Sequence, residues 1–436
     1  MNPIVATWPL LLGMGILMLG AGLQGTLLGV RASLEHFATP VTGLIMSCYY
    51  VGYLIGTRIA PQMLKRVGPV RAFATLAALA SVAALVHAAW VHPLPWAVVR
   101  GIAGLCFAGI YVVAESWLNH RASRSNRGAL LAVYMLVLYV GLGSAQYLLV
   151  LSSPQSDAPF MLVSALISLA MVPIVATAQQ TPQPAAPQRV RYRDLYRNSP
   201  LGVVAVALSG MISSIIFGMG PVYAHLTGYG TRGVAEFMAV SILAAVFSQY
   251  PVGRLSDHMD RRTVIGGVCA LATVAAGILV AFGPHLQRPL FLALTALFSG
   301  AALTLYSLSV SHVNDQLEPA QMVAASSALL RINGLAAAAG PALAGSLMAA
   351  FGRGAYFGML GTLTGVLTLY DLWRKARRHA LPDAPKAPFI CTQQIATCAG
   401  LDPAPGATAA AGQEARLASG WSAGASPSAR AAPSSP

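Results

Sequence analysis

Charged side chains are scarce in this sequence. Only 9% of its 436 residues are Asp, Glu, Lys or Arg, against about 25% in soluble domains. That deficit excludes a soluble enzyme of two or three domains. Acids are rarer still, with 13 Asp and Glu against 27 Lys and Arg. Cysteine is sparse, and the five present build no metal site. Cys48, Cys106 and Cys269 sit in apolar runs, where a thiol packs as a small hydrophobe, and Cys391 and Cys398 have no His beside them. The signatures of nucleotide-driven or hydrolytic chemistry are missing too. There is no G-x-x-x-x-G-K-[ST] loop, which disfavours ATP-driven movement, and no H-E-x-x-H or G-x-S-x-G. No catalytic residue, cofactor or metal is expected. The opening MNPIVATW lacks the basic start of a cleaved signal peptide, so the first apolar run is expected to remain as a helix.

Apolar sequence is what the chain has instead: 56% of it is hydrophobic. A membrane-crossing helix needs about 20 apolar residues, and runs of that length number about twelve. They fall near 8–30, 40–60, 71–91, 95–118, 128–151, 159–177, 200–224, 233–253, 263–283, 288–311, 321–350 and 355–373. Gly13, Gly20, Pro173 and Pro341 interrupt these runs, as packed membrane helices tolerate. The alternation of a membrane barrel is absent. The fold class is therefore all-α, a polytopic membrane protein. Its net charge of +14 implies no nucleic-acid partner, because the basic residues are sorted by loop. Lys65, Arg66, Arg121, Arg124, Arg127, Arg254 and the Arg374–Arg378 cluster fall on one side. Arg31, Arg232, Arg288 and Arg353 fall on the other. By the positive-inside rule the first side is cytoplasmic, and an even helix count puts both termini there.

Residues 178–199 divide the runs into six and six. Their beginning, AQQTPQPAAPQ, reads as an extended linker. Their end is expected to lie on the membrane surface with Tyr192, Leu195 and Tyr196 down. Residues 379–436, rich in Ala, Pro, Ser and Gly, cannot bury enough surface to order and are expected to be a disordered tail. The expected domains are thus 1–177, a linker over 178–199, 200–378 and the tail.

Two basic loops sit at corresponding places in the two halves. The later one reads Gly253-Arg-Leu-Ser-Asp257-His-Met-Asp-Arg261-Arg262, and the earlier Pro61-Gln-Met-Leu-Lys65-Arg66-Val-Gly68. A run Arg100-Gly-Ile-Ala-Gly104 opens the fourth helix, and Val112-Val-Ala-Glu115-Ser-Trp closes it. Together these resemble the major facilitator superfamily, in a bacterial branch without an assigned substrate. The later loop is similar to the family's G-x-x-x-D-R/K-x-G-R-R/K, with His258 and Asp260 replacing a basic residue and a Gly. The resemblance covers about residues 8–375 and implies twelve helices in two six-helix bundles. It also implies a latch at Asp257, Arg261 and Arg262 that steadies one conformation. The earlier loop has Lys65 where the acid belongs, so both loops also read as solvated basic turns. The G-x-x-x-G-P pattern of drug–proton antiporters is missing from the fifth helix; a Gly340-Pro341 pair stands on the eleventh.

A charge inside the membrane marks function by default, because it costs at least ~2.5–3.5 kcal/mol there. Arg331 lies about ten residues, or some 15 Å, into the eleventh run, and is expected to meet the solute. Arg100, also expected at the solute site on the strength of its motif, lies nearer a helix start, within reach of snorkelling. Gln24, Tyr50, Tyr139 and Asn333 are expected to complete the solute site, along with Tyr49, Tyr53, Tyr134, Ser213, Ser214 and Tyr306 at similar depth. Each alone also reads as helix-packing glue. Glu115 is the candidate for protonation or gating, with a helix-end ion pair as its plain alternative. The expectation is a monomeric secondary transporter in the bacterial cytoplasmic membrane. It would move a small solute, with a weak tilt toward anions, by alternating access driven by protons or by the solute's own gradient. The alternatives are a transporter-fold sensor or scaffold without flux, and an efflux pump for drugs or metabolites.

Overall fold

The structure is a computed structural model that describes residues 3–121, 127–176, 192–317 and 319–377. Most of the linker, the tail and residues 122–126, Arg124 among them, lie outside it. The described residues fold into helices α1 (Pro3–Leu34), α2 (Thr39–Val67), α3 (Pro69–Ala89), α4 (Pro93–Arg121), α5 (Arg127–Leu148) and α6 (Ala158–Ala176). A short α7 (Tyr192–Asn198) precedes α8 (Pro200–Leu226), α9 (Thr231–His258), α10 (Arg261–Phe282), α11 (Arg288–Asn314), α12 (Pro319–Phe351) and α13 (Ala355–Arg377).

The boundaries follow local chemistry. Gly68 takes φ +80 after α2, and Pro69 opens α3 with a φ already suited to a helix. Asp260 caps α10 by accepting from the Arg262 amide at 3.3 Å. In α7, Leu195 is buried against the protein, among Val203, Val206 and Val310, whereas Tyr196 is exposed.

Ten of the described helices are long and apolar enough to cross a membrane. The two other long helices are α2, which carries Arg58, Lys65 and Arg66, and α13, which ends Asp371, Arg374, Lys375 and Arg377. With them the chain forms the expected two bundles of six. In the first, α1 packs on α5 and α6, α2 on α4, and α3 on α4 and α6. The second repeats this plan, with α8 on α12 and α13, α9 on α11, and α10 on α11 and α13. The same wiring in each half is what a parallel internal repeat predicts.

The bundles meet where α2 runs along α12, α5 along α9 and α1 along α8. Small residues permit the approach. Gly29 faces Pro221, Gly43 faces the Pro341 backbone, and Gly345 faces that of Thr39. The Ala342 amide donates across the seam to Ser47 Oγ at 3.1 Å. These four contacts lie in the half of the molecule remote from the basic loops. Gly334 meets Leu54 near the middle of both helices.

Candidate functional site

A cavity of about 70 Å³ lies in the seam, walled by α1, α2, α4 and α5 of the first bundle and α8 and α9 of the second. On the measure by which one water takes ~10–15 Å³, it has room for about five waters. Arg100 enters it from α4, Gln24 from α1 and Tyr50 from α2, three of the residues expected to meet the solute. Phe107, Tyr111, Gln146 and Phe217 complete the wall. Nothing singled these four out in the sequence as site residues; Phe107 and Tyr111 do follow Arg100 at helical spacing on α4.

Arg100 is the only charged residue among those described in this wall. It lies seven residues into α4, about 10 Å along the axis, and is 9% exposed. It therefore turns inward rather than snorkelling outward. Its guanidinium sits 4.6 Å from the centroid of the Tyr49 ring, a cation–π contact, while its Nε has no hydrogen-bond partner. Helix geometry creates this pairing. Gly104, one turn beyond Arg100, lets the Tyr49 backbone press against α4, and Gly52 and Gly56 do the same from the α2 side against Gly101 and Leu105. The Arg-x-x-x-Gly spacing thus delivers a tyrosine ring to the arginine.

Gln24 is fully buried, and neither end of its amide has a hydrogen-bond partner. Gln146 differs. It accepts from Thr26 Oγ1 at 2.5 Å and donates to Leu142 O at 2.9 Å, so its amide is committed to the wall. The Tyr111 hydroxyl likewise donates to Met18 Sδ at 3.3 Å. The unspent polar capacity in the cavity therefore includes the guanidinium and one amide.

Of the expected residues, Arg331, Asn333, Tyr139, Tyr53, Tyr134, Tyr306, Ser213 and Ser214 lie outside this wall. Arg331 is exposed and does not line the cavity. Its neighbours Asn333 and Gly334 turn toward α8 and α2, whereas Arg331 shares a face with Leu335, itself 65% exposed. Asn333 is packing glue, donating to Val206 O at 3.0 Å and Ser209 Oγ at 3.4 Å. Tyr139 is buried in the core away from the wall. Ser213 and Ser214 bond back to Gly210 and Met211 of their own helix.

Glu115 is buried, 3% exposed, about 22 Å from Arg100 along α4. Tyr53, Tyr111 and Tyr134 form its electrostatic surroundings. The side chains of Arg121, Arg124 and Arg127 lie outside the described residues. At the basic end of the second bundle, Arg261 is 2% exposed and pairs with Asp257 at 3.4 Å and Asp315 at 3.1 Å. Arg262 pairs with Asp371 at 3.3 Å, and Lys375 with the same acid at 2.7 Å. These pairs tie the α9–α10 loop to the ends of α11 and α13. In the first bundle Lys65 and Arg66 are exposed, as a solvated basic turn would have them.

The model of the Major Facilitator Superfamily matches residues 10–286 and 233–423. An uncharacterized MFS-type transporter of Enterobacter sp. (strain 638) is 29% identical over 379 residues, covering 86% of this chain and 97% of that one. The uncharacterized MFS-type transporter YcaD of Escherichia fergusonii is 28% identical over 378 residues, covering 86% and 97%. Among solved structures, a point mutant of the nucleoside transporter NupG superposes with a TM-score of 0.72 at 14% identity, covering 84% of this chain and 99% of that one. The two-bundle fold and the family match agree: the chain belongs to the Major Facilitator Superfamily and is a membrane transporter.

Proposed function

We propose that this transporter carries a small anionic solute by alternating access, binding it at Arg100 and Gln24. Arg100 carries the reading. A guanidinium held inside the membrane, with no Asp or Glu in its cavity wall, is costly unless an anion or water meets it. An anion that arrives with each cycle supplies the missing partner. The basic loops and both termini face the cytoplasm of a bacterial cell. The named contacts across the seam then close its outer side, so this conformation is open toward the cytoplasm. Rocking of the bundles about the cavity exposes it to the other side. The Arg261 and Arg262 pairs keep the basic end of the second bundle together as it tilts. Glu115 is the group assigned to proton coupling.

The test is thermal stabilisation of the detergent-purified full chain by a panel of carboxylates, phosphates and neutral solutes. Anions are expected to raise the melting temperature, and Arg100→Gln to abolish the effect while the protein still elutes as a folded species. Stabilisation by neutral solutes alone, equal in wild type and variant, would sink the reading.

A further inference from the structure

The two bundles contribute opposite chemistry to the cavity. Every group able to bind charge or donate a hydrogen bond there through its side chain comes from the first bundle: Arg100, Gln24, Thr26, Gln146 and the tyrosines. The second bundle offers Phe217, Gly218, Met238 and Ile242, an apolar and polarizable surface. Part of the polar side is spent, since Gln146 and Thr26 satisfy one another and the Tyr111 hydroxyl is taken by Met18, which leaves Arg100, Gln24 and the hydroxyls of Tyr49 and Tyr50 to meet a solute. One positive charge thus stands beside one unpartnered amide, and Phe107, Tyr111 and Phe217 flank them with ring faces and edges.

A solute that fits is constrained in three ways. It brings a single negative charge, because a second would lie in a buried wall with no further cation among the described lining residues. It brings a flat apolar body, because aromatic rings and a thioether favour such a surface over a hydrated chain. It is small, because the cavity is about 70 Å³. Building on the anionic reading above, we infer that the solute is an aromatic monocarboxylate, its carboxylate on Arg100 in the first bundle and its ring against Phe217 and Met238 of the second. Gln24 takes a polar substituent on the ring or the outer carboxylate oxygen.

The test is calorimetric titration of the full chain in detergent with benzoate, its neutral isostere benzamide, the dianion phthalate and the ringless acetate. Benzoate is expected to bind at least about tenfold more tightly than each of the other three. Arg100→Gln loses benzoate, and Arg100→Lys retains part of it, which shows that the fold survives substitution there. Phe217→Ala weakens benzoate about tenfold and leaves the weak binding of acetate unchanged. Acetate or phthalate matching benzoate, with all of them lost in Arg100→Gln, overturns the aromatic monoanion and leaves the anionic solute standing. No heat with benzoate at about 10 mM overturns the aromatic class alone. Benzamide binding as well as benzoate, unaffected by Arg100→Gln, overturns both readings.

Discussion

Arg100 and Arg331 show how one residue type at two depths comes to do different things. Both stand in apolar sequence, and depth counted along the run favours Arg331. The structure reverses the order, because orientation around the axis outweighs distance along it. Arg331 shares its face with exposed Leu335, whereas Arg100 turns onto Tyr49. Charge-assisted hydrogen bonds are worth about 1.5–3 kcal/mol, so Arg100→Gln should weaken an anion that stabilises the wild type by roughly 10- to 150-fold. Arg331→Gln should leave that affinity within about twofold on the same assay. Equal losses would return Arg331 to the site. Glu115 makes a separate prediction. In proteoliposomes, Glu115→Gln should bind the stabilising anion normally yet lose accumulation driven by a pH gradient. Retained pH-driven accumulation would free Glu115 from coupling. The sequence brought Gln24 and Tyr50 to notice by polarity at depth, and Arg100 by the Arg-x-x-x-Gly motif. Phe107 and Phe217 escaped notice because an aromatic in an apolar run looks the same whether it lines a cavity or fills a core.

Helices α2 and α4 explain the motif that polarity alone could not. Small residues interlock along this crossing, with Gly52 on Gly101, Gly56 on Leu105 and Ala108, and Gly104 on Tyr49. A Cβ at Gly104 has only the Tyr49 backbone to displace, so the change cannot be absorbed by a rotamer. Gly104→Val should therefore cost about 1–3 kcal/mol in stability by overpacking. It should also weaken anion binding without touching the solute, through separation of Tyr49 from Arg100. Intact affinity in a folded Gly104→Val protein would refute that positioning role. The Gly340-Pro341 pair has a similar explanation: Gly340 lies against Ser214, and Pro341 faces Gly43 and Gly218. Helix α12 thus thins where three helices meet. The length of the apolar runs marked every long helix, but a glycine's partner lies on another helix, far away in sequence.

Two matching bundles joined by small residues at one end are suited to tipping. If they tip, Ser47 and Ala342 must separate in each cycle. A Ser47→Cys/Ala342→Cys pair, in a background without the native cysteines, should lose flux of the stabilising anion on oxidation and regain it on reduction. Undiminished flux in the cross-linked protein would exclude separation at this point. The repeat of six helices and the loop charges made this architecture legible from the sequence. The closed end was not, since which half of the seam touches depends on conformation and leaves no mark in composition. The polarity of α2 and α13 carries a further consequence, for biogenesis. A segment holding Arg58, Lys65 and Arg66, or Asp371 and Arg374, partitions poorly into lipid by itself. Each needs a greasier companion already waiting at the translocon: α1 or α3 for the former, α10 or α12 for the latter. A nascent chain stalled just after α2 should thus slip back toward water more readily than one stalled after α4.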